Sequence, residues 1–162
     1  MAFRDIDMQK IQSFKVNHLK LQSGLYVSRK DENSGVMVTT FDLRFTAPNV
    51  EPVIDQPALH AIEHLGATFF RNSKIKDKVI YFGPLGCRTG FYFVLFGDLT
   101  SRDVYDDVIE CLDFIINYDG KIPGASPIEC GNYLELNLEM AKYYARNYKN
   151  SLIENNNFEY KD

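Results

Sequence analysis

Two of the chain's three histidines lie in one short stretch, His60-Ala61-Ile62-Glu63-His64. If the stretch is helical, the imidazoles of His60 and His64 lie one turn apart on one face, with the Glu63 carboxylate beside them. Two such imidazoles suit a divalent transition metal, and the carboxylate can act as a general base. The stretch therefore predicts a metal site, and a solvated helix surface is the alternative for so short a motif.

A third metal ligand has to come from elsewhere in the chain, because a catalytic site keeps three protein ligands and one open position. His18, the cysteines and distant carboxylates are available. A thiolate beside two imidazoles favours Zn²⁺ or Fe²⁺ over Mg²⁺ or Ca²⁺. Cys130 and Cys87 both lie in loops that contain glycine, and Arg88 would favour the Cys87 thiolate. Cys111 falls on the apolar stripe of a helix, which predicts a packed core thiol. Spacing alone does not decide which loop cysteine binds metal and which is reactive.

Two other functions fit the histidine motif. It matches the inverted zincin motif of some metalloproteases, in which Glu63 would activate a metal-bound water. Those enzymes are normally far larger than 162 residues, which counts against a protease. The second alternative is a non-enzymatic metal-binding or interaction domain, which predicts a closed site with Cys87 as its fourth ligand.

Composition bounds the class of protein. A chain of 162 residues with 45% hydrophobic residues predicts one domain over residues 1–162 with a sizeable core. The net charge of -4 and the lack of a basic block argue against nucleic-acid binding. No apolar run approaches the ~18 residues of a membrane span, and the N-terminus lacks the apolar core of a signal peptide. Three cysteines make a poor disulfide framework. We therefore expect a cytoplasmic protein without membrane or nucleic-acid partners.

The elements that must position the site follow from periodicity and turn signals. Residues 25–29 and 36–45 read as strands around a turn, and residues 79–82 and 91–96 read as strands around a glycine-rich loop. Helices are predicted from Pro57 to about Arg71, after a capping box at Thr100 and Asp103, and from about Asn137 to Lys149. The polar tail from about residue 155 is predicted to fray. The order predicts an α+β fold, an antiparallel β-sheet with helices packed on one face.

One predicted strand carries a polar face. In residues 36–45, Asp42 and Arg44 point to the same side because side chains alternate along a strand. The pair is interpreted either as a surface ion pair or as the polar side of a strand turned toward a cleft.

Three segments together resemble the S-ribosylhomocysteine lyase family, the enzymes that make the autoinducer-2 precursor. They are residues 60–65 (HAIEHL), 83–92 (GPLGCRTGFY) and 129–133 (ECGNY), in the family's order and at suitable separation. Residues 41–45 (FDLRF) resemble the strand before the metal helix, and Ser13-Phe14 with His18 fits the N-terminal segment. The resemblance covers nearly the whole chain. The family often has an acidic residue three positions before the loop proline, where this chain has Tyr81.

The resemblance implies a role for each candidate residue. His60, His64 and Cys130 would be the metal ligands, and Cys87 and Glu63 would be the acid-base residues. Arg44, Ser13 and His18 would bind substrate, with the last two contributed across a homodimer interface. The implied metal is Fe²⁺, one per subunit, which Zn²⁺ or Co²⁺ can replace.

The implied reaction splits S-ribosylhomocysteine into homocysteine and 4,5-dihydroxy-2,3-pentanedione. The thioether on C5 of the ribose cannot be eliminated from the aldose, so the carbonyl must first migrate from C1 to C2 and then to C3. Each migration removes a proton next to a carbonyl and passes through an enediolate, whose charge a divalent metal stabilises. The resemblance therefore implies a metal-dependent carbon–sulfur lyase of the methyl cycle, with its sites at the interface of a homodimer.

Overall fold

A four-stranded antiparallel β-sheet forms one layer of the molecule, in a computed structural model that describes residues 8–161. Its strands are β1 (Gly24–Asn33), β2 (Val36–Arg44), β3 (Val79–Pro84) and β4 (Gly90–Phe96). They lie in the order β1-β2-β4-β3, so that both predicted hairpins form and β2 pairs with β4 at the centre. Residues 1–7 and 162 of the predicted domain lie outside the described residues.

Three helices form the second layer: α1 (Gln56–Asn72), α2 (Ser101–Asn117) and α3 (Leu138–Asn155). Each begins at a side-chain cap that satisfies a free backbone N–H of the first turn. Asp55 caps α1, the predicted capping box of Thr100 with Asp103 forms at α2, and Asn137 caps α3. Among the described residues, no helix is both long and apolar enough to cross a membrane.

The core lies between the sheet and the helices. Phe41 on β2 and Phe93 on β4 are fully buried there, and the Phe93 ring stacks on Phe70 of α1 at a centroid distance of 4.0 Å. The alternate residues Thr40 and Tyr92 point to the opposite side of the sheet, where they stay partly exposed. The predicted α+β fold with helices on one face is therefore confirmed.

The C-terminal segment differs from its sequence prediction. Helix α3 continues to Asn155, and the residues that follow pack against β1. The Asn157 carbonyl accepts a hydrogen bond from the Leu25 N–H at 2.9 Å, and the Tyr160 ring stacks on Tyr26 with centroids 4.6 Å apart. The prediction of a frayed tail from about residue 155 rested on polar composition, which does not register these aromatic and backbone contacts.

Candidate metal centre and reactive thiol

Helix α1 carries the two histidines at one helical turn, as the sequence predicts. Their rings approach edge to face with centroids 4.6 Å apart, and both are partly buried. The burial follows from their position beside the apolar stripe of α1, whose Leu59 and Ile62 lie in the core. The helix therefore holds both imidazoles at the edge of the core instead of in bulk water.

Cys130 completes a cluster of three ligands. Its Sγ lies 3.4 Å from the Nε2 atom of His60, and the ligand atoms of His60, His64 and Cys130 all lie within 4.8 Å of one another. Two imidazoles and one thiolate are the donors that Zn²⁺ and Fe²⁺ prefer, so this cluster could hold such an ion. Cys87 does not belong to the cluster within the described residues, so the closed four-ligand site of a purely binding domain finds no support.

A second set of contacts fixes the orientation of both imidazoles. The Nδ1 atom of His60 lies 2.8 Å from the Glu135 carboxylate, and that of His64 lies 2.7 Å from the Pro123 carbonyl. A carboxylate and a carbonyl accept hydrogen bonds, so each Nδ1 donates and each Nε2 keeps its lone pair for a metal. Sequence reasoning missed Glu135 and Pro123, because no local motif signals a partner so far along the chain.

The Pro123 carbonyl reaches His64 because the next residue is a glycine. Gly124 has a φ of +75°, a conformation that residues with a Cβ rarely adopt. A Cβ on Gly124 would also lie 3.0 Å from the Nδ1 atom of His64. The glycine therefore allows the loop before Cys130 to press against the imidazole.

Glu63 borders the same cluster. Its Oε2 atom lies 4.0 Å from the Nε2 atom of His60, and its side chain is partly exposed. The carboxylate thus sits beside the position that the three ligands define. A carboxylate in this position could act as a general acid-base group toward a molecule bound at the cluster.

Cys87 lies apart from the cluster, exposed on the loop between β3 and β4. Its Sγ lies 3.1 Å from the Thr89 Oγ1 atom and 3.8 Å from the Arg44 Nη1 atom. Partial burial raises the pKa of the thiol, but the hydrogen bonds from Thr89 and the Arg44 charge outweigh it and leave the pKa below its ordinary value. Arg44 and Arg88 are both expected to keep this thiol ionised, and the structure brings Arg44 and Thr89 into contact with it. Cys111 is a buried core thiol, as predicted.

The polar face of β2 is buried instead of exposed. Asp42 and Arg44 are only 1% and 4% exposed, and the Arg44 Nη2 atom donates to the Asp42 carboxylate at 2.7 Å. The interpretation as a surface ion pair is therefore wrong. The Arg44 Nη1 atom donates to Thr89 at 2.7 Å, which places the guanidinium between the Asp42 carboxylate and the Cys87 thiol.

Within one chain, the structure does not bring the substrate candidates Ser13 and His18 to the metal-ligand cluster. Ser13 lies in a shallow depression on the outer face of the sheet, bordered by Thr40 and Tyr92. The Nδ1 atom of His18 contacts the Val16 carbonyl at 2.9 Å. No hydrogen bond or ion pair found among the described residues joins Ser13 or His18 to the metal-ligand cluster.

Tyr81, where the family often has an acid, is 52% exposed on β3. Its hydroxyl lies over Gly83, where a Cβ would be 1.9 Å from the Oη atom. The phenol therefore fills the space above the start of the loop that carries Cys87.

The fold and the cluster define a single-domain α+β protein with three residues that could hold a metal ion, and comparison with known proteins specifies its family. The family model for S-ribosylhomocysteinase (LuxS) matches residues 11–159, so the chain belongs to this family. It is similar to the S-ribosylhomocysteine lyases of Finegoldia magna (59% identical, 88% of this chain and 91% of the relative) and Clostridium acetobutylicum (52%, covering 91% and 94%). The lyase of Borreliella burgdorferi is 51% identical, with 94% of this chain and 99% of the relative covered.

Proposed function

We propose that the chain is a metal-dependent S-ribosylhomocysteine lyase. The observation that carries the proposal is the cluster of His60, His64 and Cys130 in a member of this family, with a separate thiol at Cys87 whose pKa is lowered by its neighbours. The products are homocysteine and 4,5-dihydroxy-2,3-pentanedione, the autoinducer-2 precursor. The hydrolase alternative gives Cys87 no role, whereas a carbonyl migration needs a base that can remove and return protons.

The donor set fits one Fe²⁺ per subunit, with Zn²⁺ or Co²⁺ able to replace it. His60 and His64 would bind through their Nε2 atoms, because both Nδ1 atoms are engaged, and Cys130 would bind as a thiolate. When bound, the ion supplies Lewis-acid stabilisation of negative charge on the sugar oxygens. The chain's own side chains must then move the protons.

Cys87 is assigned the protons on carbon. As a thiolate it removes the proton next to the carbonyl and returns it to the neighbouring carbon, which moves the carbonyl by one position. Two such migrations take the carbonyl from C1 to C3. A thiol whose pKa lies below the ordinary value is ionised in a larger fraction of molecules near neutral pH, so it is a suitable base.

Glu63 is assigned the protons on oxygen and the final elimination. Once the carbonyl is at C3, loss of the C4 proton forms a C4–C5 double bond and expels homocysteine as its thiolate. The resulting enol returns to the diketone by proton transfer, so the reaction needs no external oxidant or reductant. Glu63 suits this role because its carboxylate is partly exposed beside the metal ligands.

The substrate residues and the quaternary structure belong to the same proposal. Arg44 is held at Cys87, whereas Ser13 and His18 show no contact with the ligand cluster in the described chain. A homodimer with its sites at the interface would supply Ser13 and His18 from the partner. The outer sheet face offers apolar surface for this contact, since Phe96 is 47% exposed there. We also propose a cytoplasmic location, as expected from the composition of the chain.

Homocysteine release tests the proposed activity. The Fe²⁺-loaded protein should release a thiol from S-ribosylhomocysteine, and Cys87→Ala should abolish release while the metal content stays at the wild-type value. Cys111→Ala is the matched control, because its thiol is buried in the core. Undiminished release by Cys87→Ala would remove Cys87 from the mechanism, and no release by the wild-type protein would contradict the function itself.

Mixing two inactive variants tests the shared site. In a mixture of His18→Ala with Cys130→Ala, each heterodimer regains one intact site, which predicts about a quarter of wild-type activity per chain. A mixture of His60→Ala with Cys130→Ala is the control, since both changes damage the same ligand cluster and no site is restored. Equal inactivity of the two mixtures would show that His18 does not act across an interface.

A further inference from the structure

The C-terminal segment after α3 ends beside the proposed reaction machinery. Asn157 ties the segment to β1 through the Leu25 N–H and through its own amide, which donates to the Ser23 carbonyl at 3.0 Å. Three residues later, the Tyr160 ring stacks almost parallel on Tyr26, with an interplanar angle of 15°. Backbone and ring contacts therefore fix where the Tyr160 hydroxyl points.

That hydroxyl donates a hydrogen bond of 2.9 Å to the Oδ2 atom of Asp42. The same oxygen accepts the 2.7 Å hydrogen bond from the Arg44 Nη2 atom, while the Arg44 Nη1 atom faces Cys87 and Thr89. The Oδ1 atom of Asp42 is buried without a hydrogen-bond partner. Because one carboxylate oxygen takes both bonds, the Tyr160 hydroxyl and the guanidinium constrain each other through it.

We infer that Tyr160 is a positioning residue for the proposed reaction, because its hydroxyl fixes the Asp42 carboxylate and so keeps the Arg44 guanidinium turned toward Cys87. The inference rests on the proposed role of Cys87 as the base. Without the hydroxyl, the Asp42 carboxylate would be free to rotate. The Arg44 guanidinium that is bonded to it would then turn away from the Cys87 thiol. The tail would thus support the chemistry by holding Asp42 and Arg44 in place.

The titratable groups around Arg44 determine how the pH profile of Cys87 can be interpreted. The groups that face it are Asp42 on its own strand, Tyr26 on β1, Tyr148 on α3, Cys87 and Tyr160. Burial, followed by the charge of Asp42, raises the pKa of all three phenols. They keep their protons near neutral pH. The charge on the three phenols therefore stays constant over the range in which the Cys87 thiol is titrated.

The experiment measures the rate at which iodoacetamide alkylates Cys87 as a function of pH, followed by mass spectrometry of the peptide that contains it. Tyr160→Phe removes the hydroxyl and keeps the ring that stacks on Tyr26. We expect the midpoint of its pH profile to move upward by about half a pH unit, because the thiolate loses part of the Arg44 field. In turnover, kcat should fall several-fold.

Tyr143→Phe is the matched control, because that side chain is 50% exposed on α3 and no change in either readout is expected. Tyr160→Ala removes the ring as well and should shift the midpoint at least as far as Tyr160→Phe. If the midpoint of the alkylation profile is unchanged in Tyr160→Phe, the tail has only a structural role, whether or not the melting temperature falls. A wrong assignment of Cys87 as the base would be recognised separately, because Cys87→Ala would then still turn over substrate. The alkylation midpoint tests Tyr160 alone, because it does not depend on turnover.

Discussion

Glu135 is expected to control the metal affinity of the cluster, although it is not one of the ligands. Its carboxylate lies 2.8 Å from the Nδ1 atom of His60, and its side chain is 23% exposed. The change Glu135→Gln keeps the size of the side chain and an oxygen that can accept the hydrogen bond. The change removes the negative charge. That charge makes the His60 imidazole more basic and so a stronger ligand for a cation.

The magnitude follows from the kind of hydrogen bond that is lost. A hydrogen bond to a charged group contributes ~1.5–3 kcal/mol, about twice the value of a neutral one. Replacing the carboxylate by an amide should therefore cost about 1.4 kcal/mol, which is about tenfold in metal affinity. Because Glu135 is partly exposed, we expect a loss of metal affinity at the lower end of the range seen when a hydrogen-bond partner of a metal ligand is removed.

Competition with a chromogenic chelator for Zn²⁺ or Co²⁺ measures this affinity in the absence of substrate. Glu139→Gln is the matched control, because Glu139 lies at the start of α3, is 83% exposed in its side chain and pairs with Lys142. We expect tenfold weaker binding in Glu135→Gln and wild-type binding in Glu139→Gln. Equal affinities in the wild-type protein and both variants would refute the assignment of Nε2 as the metal-binding atom of His60, on which the reasoning depends.

Three further variants test the site and the fold. Cys130→Ala should lose the metal, which elemental analysis of the purified protein measures, and full metal content would contradict the ligand assignment. Glu63→Gln should lower kcat and leave metal content unchanged, since Glu63 is assigned to proton transfer; unchanged kcat would remove that role. Gly90→Ala should lower the free energy of unfolding by about 1–3 kcal/mol in denaturant titration, because its Cβ would lie 2.1 Å from the Leu43 carbonyl oxygen. Wild-type stability would show that β2 and β4 can separate at low cost.

Much of the fold is predictable from local signals. Helix α1 is predicted from Pro57 to about Arg71 and runs from Gln56 to Asn72, because a capping aspartate, a proline in the first turn and an apolar stripe all indicate the same element. The end of α3 was harder, since the prediction stops at residue 149 and the helix reaches Asn155. The helix is capped at its end by Asn156, which adopts the left-handed conformation common for an asparagine at a helix end, but three successive asparagines at 155–157 do not show which of them ends the helix.

Some features of the site can likewise be predicted from local sequence, and others cannot. The two histidines of α1 can be paired from spacing, and the grouping with Cys130 came from family resemblance, because the loop that carries it has no periodicity. Burial of Asp42 and Arg44 could not be predicted from the alternation of β2, which shows only that they share a face. Tyr160 hydrogen-bonds Asp42 from a distant part of the chain, and such contacts are not visible in the local sequence pattern.

The long connection between α2 and α3 has little regular structure of its own, with one short 3₁₀ turn at Tyr133–Glu135. It returns to α1 through His60, His64 and the hydrogen bond from Asn137 to the Pro57 carbonyl. An ion held between α1 and Cys130 would therefore act as a cross-link that closes this loop, stabilising the closed form by mass action. Availability of the metal would then govern local unfolding of the connection, and so the lifetime of the chain in the presence of proteases.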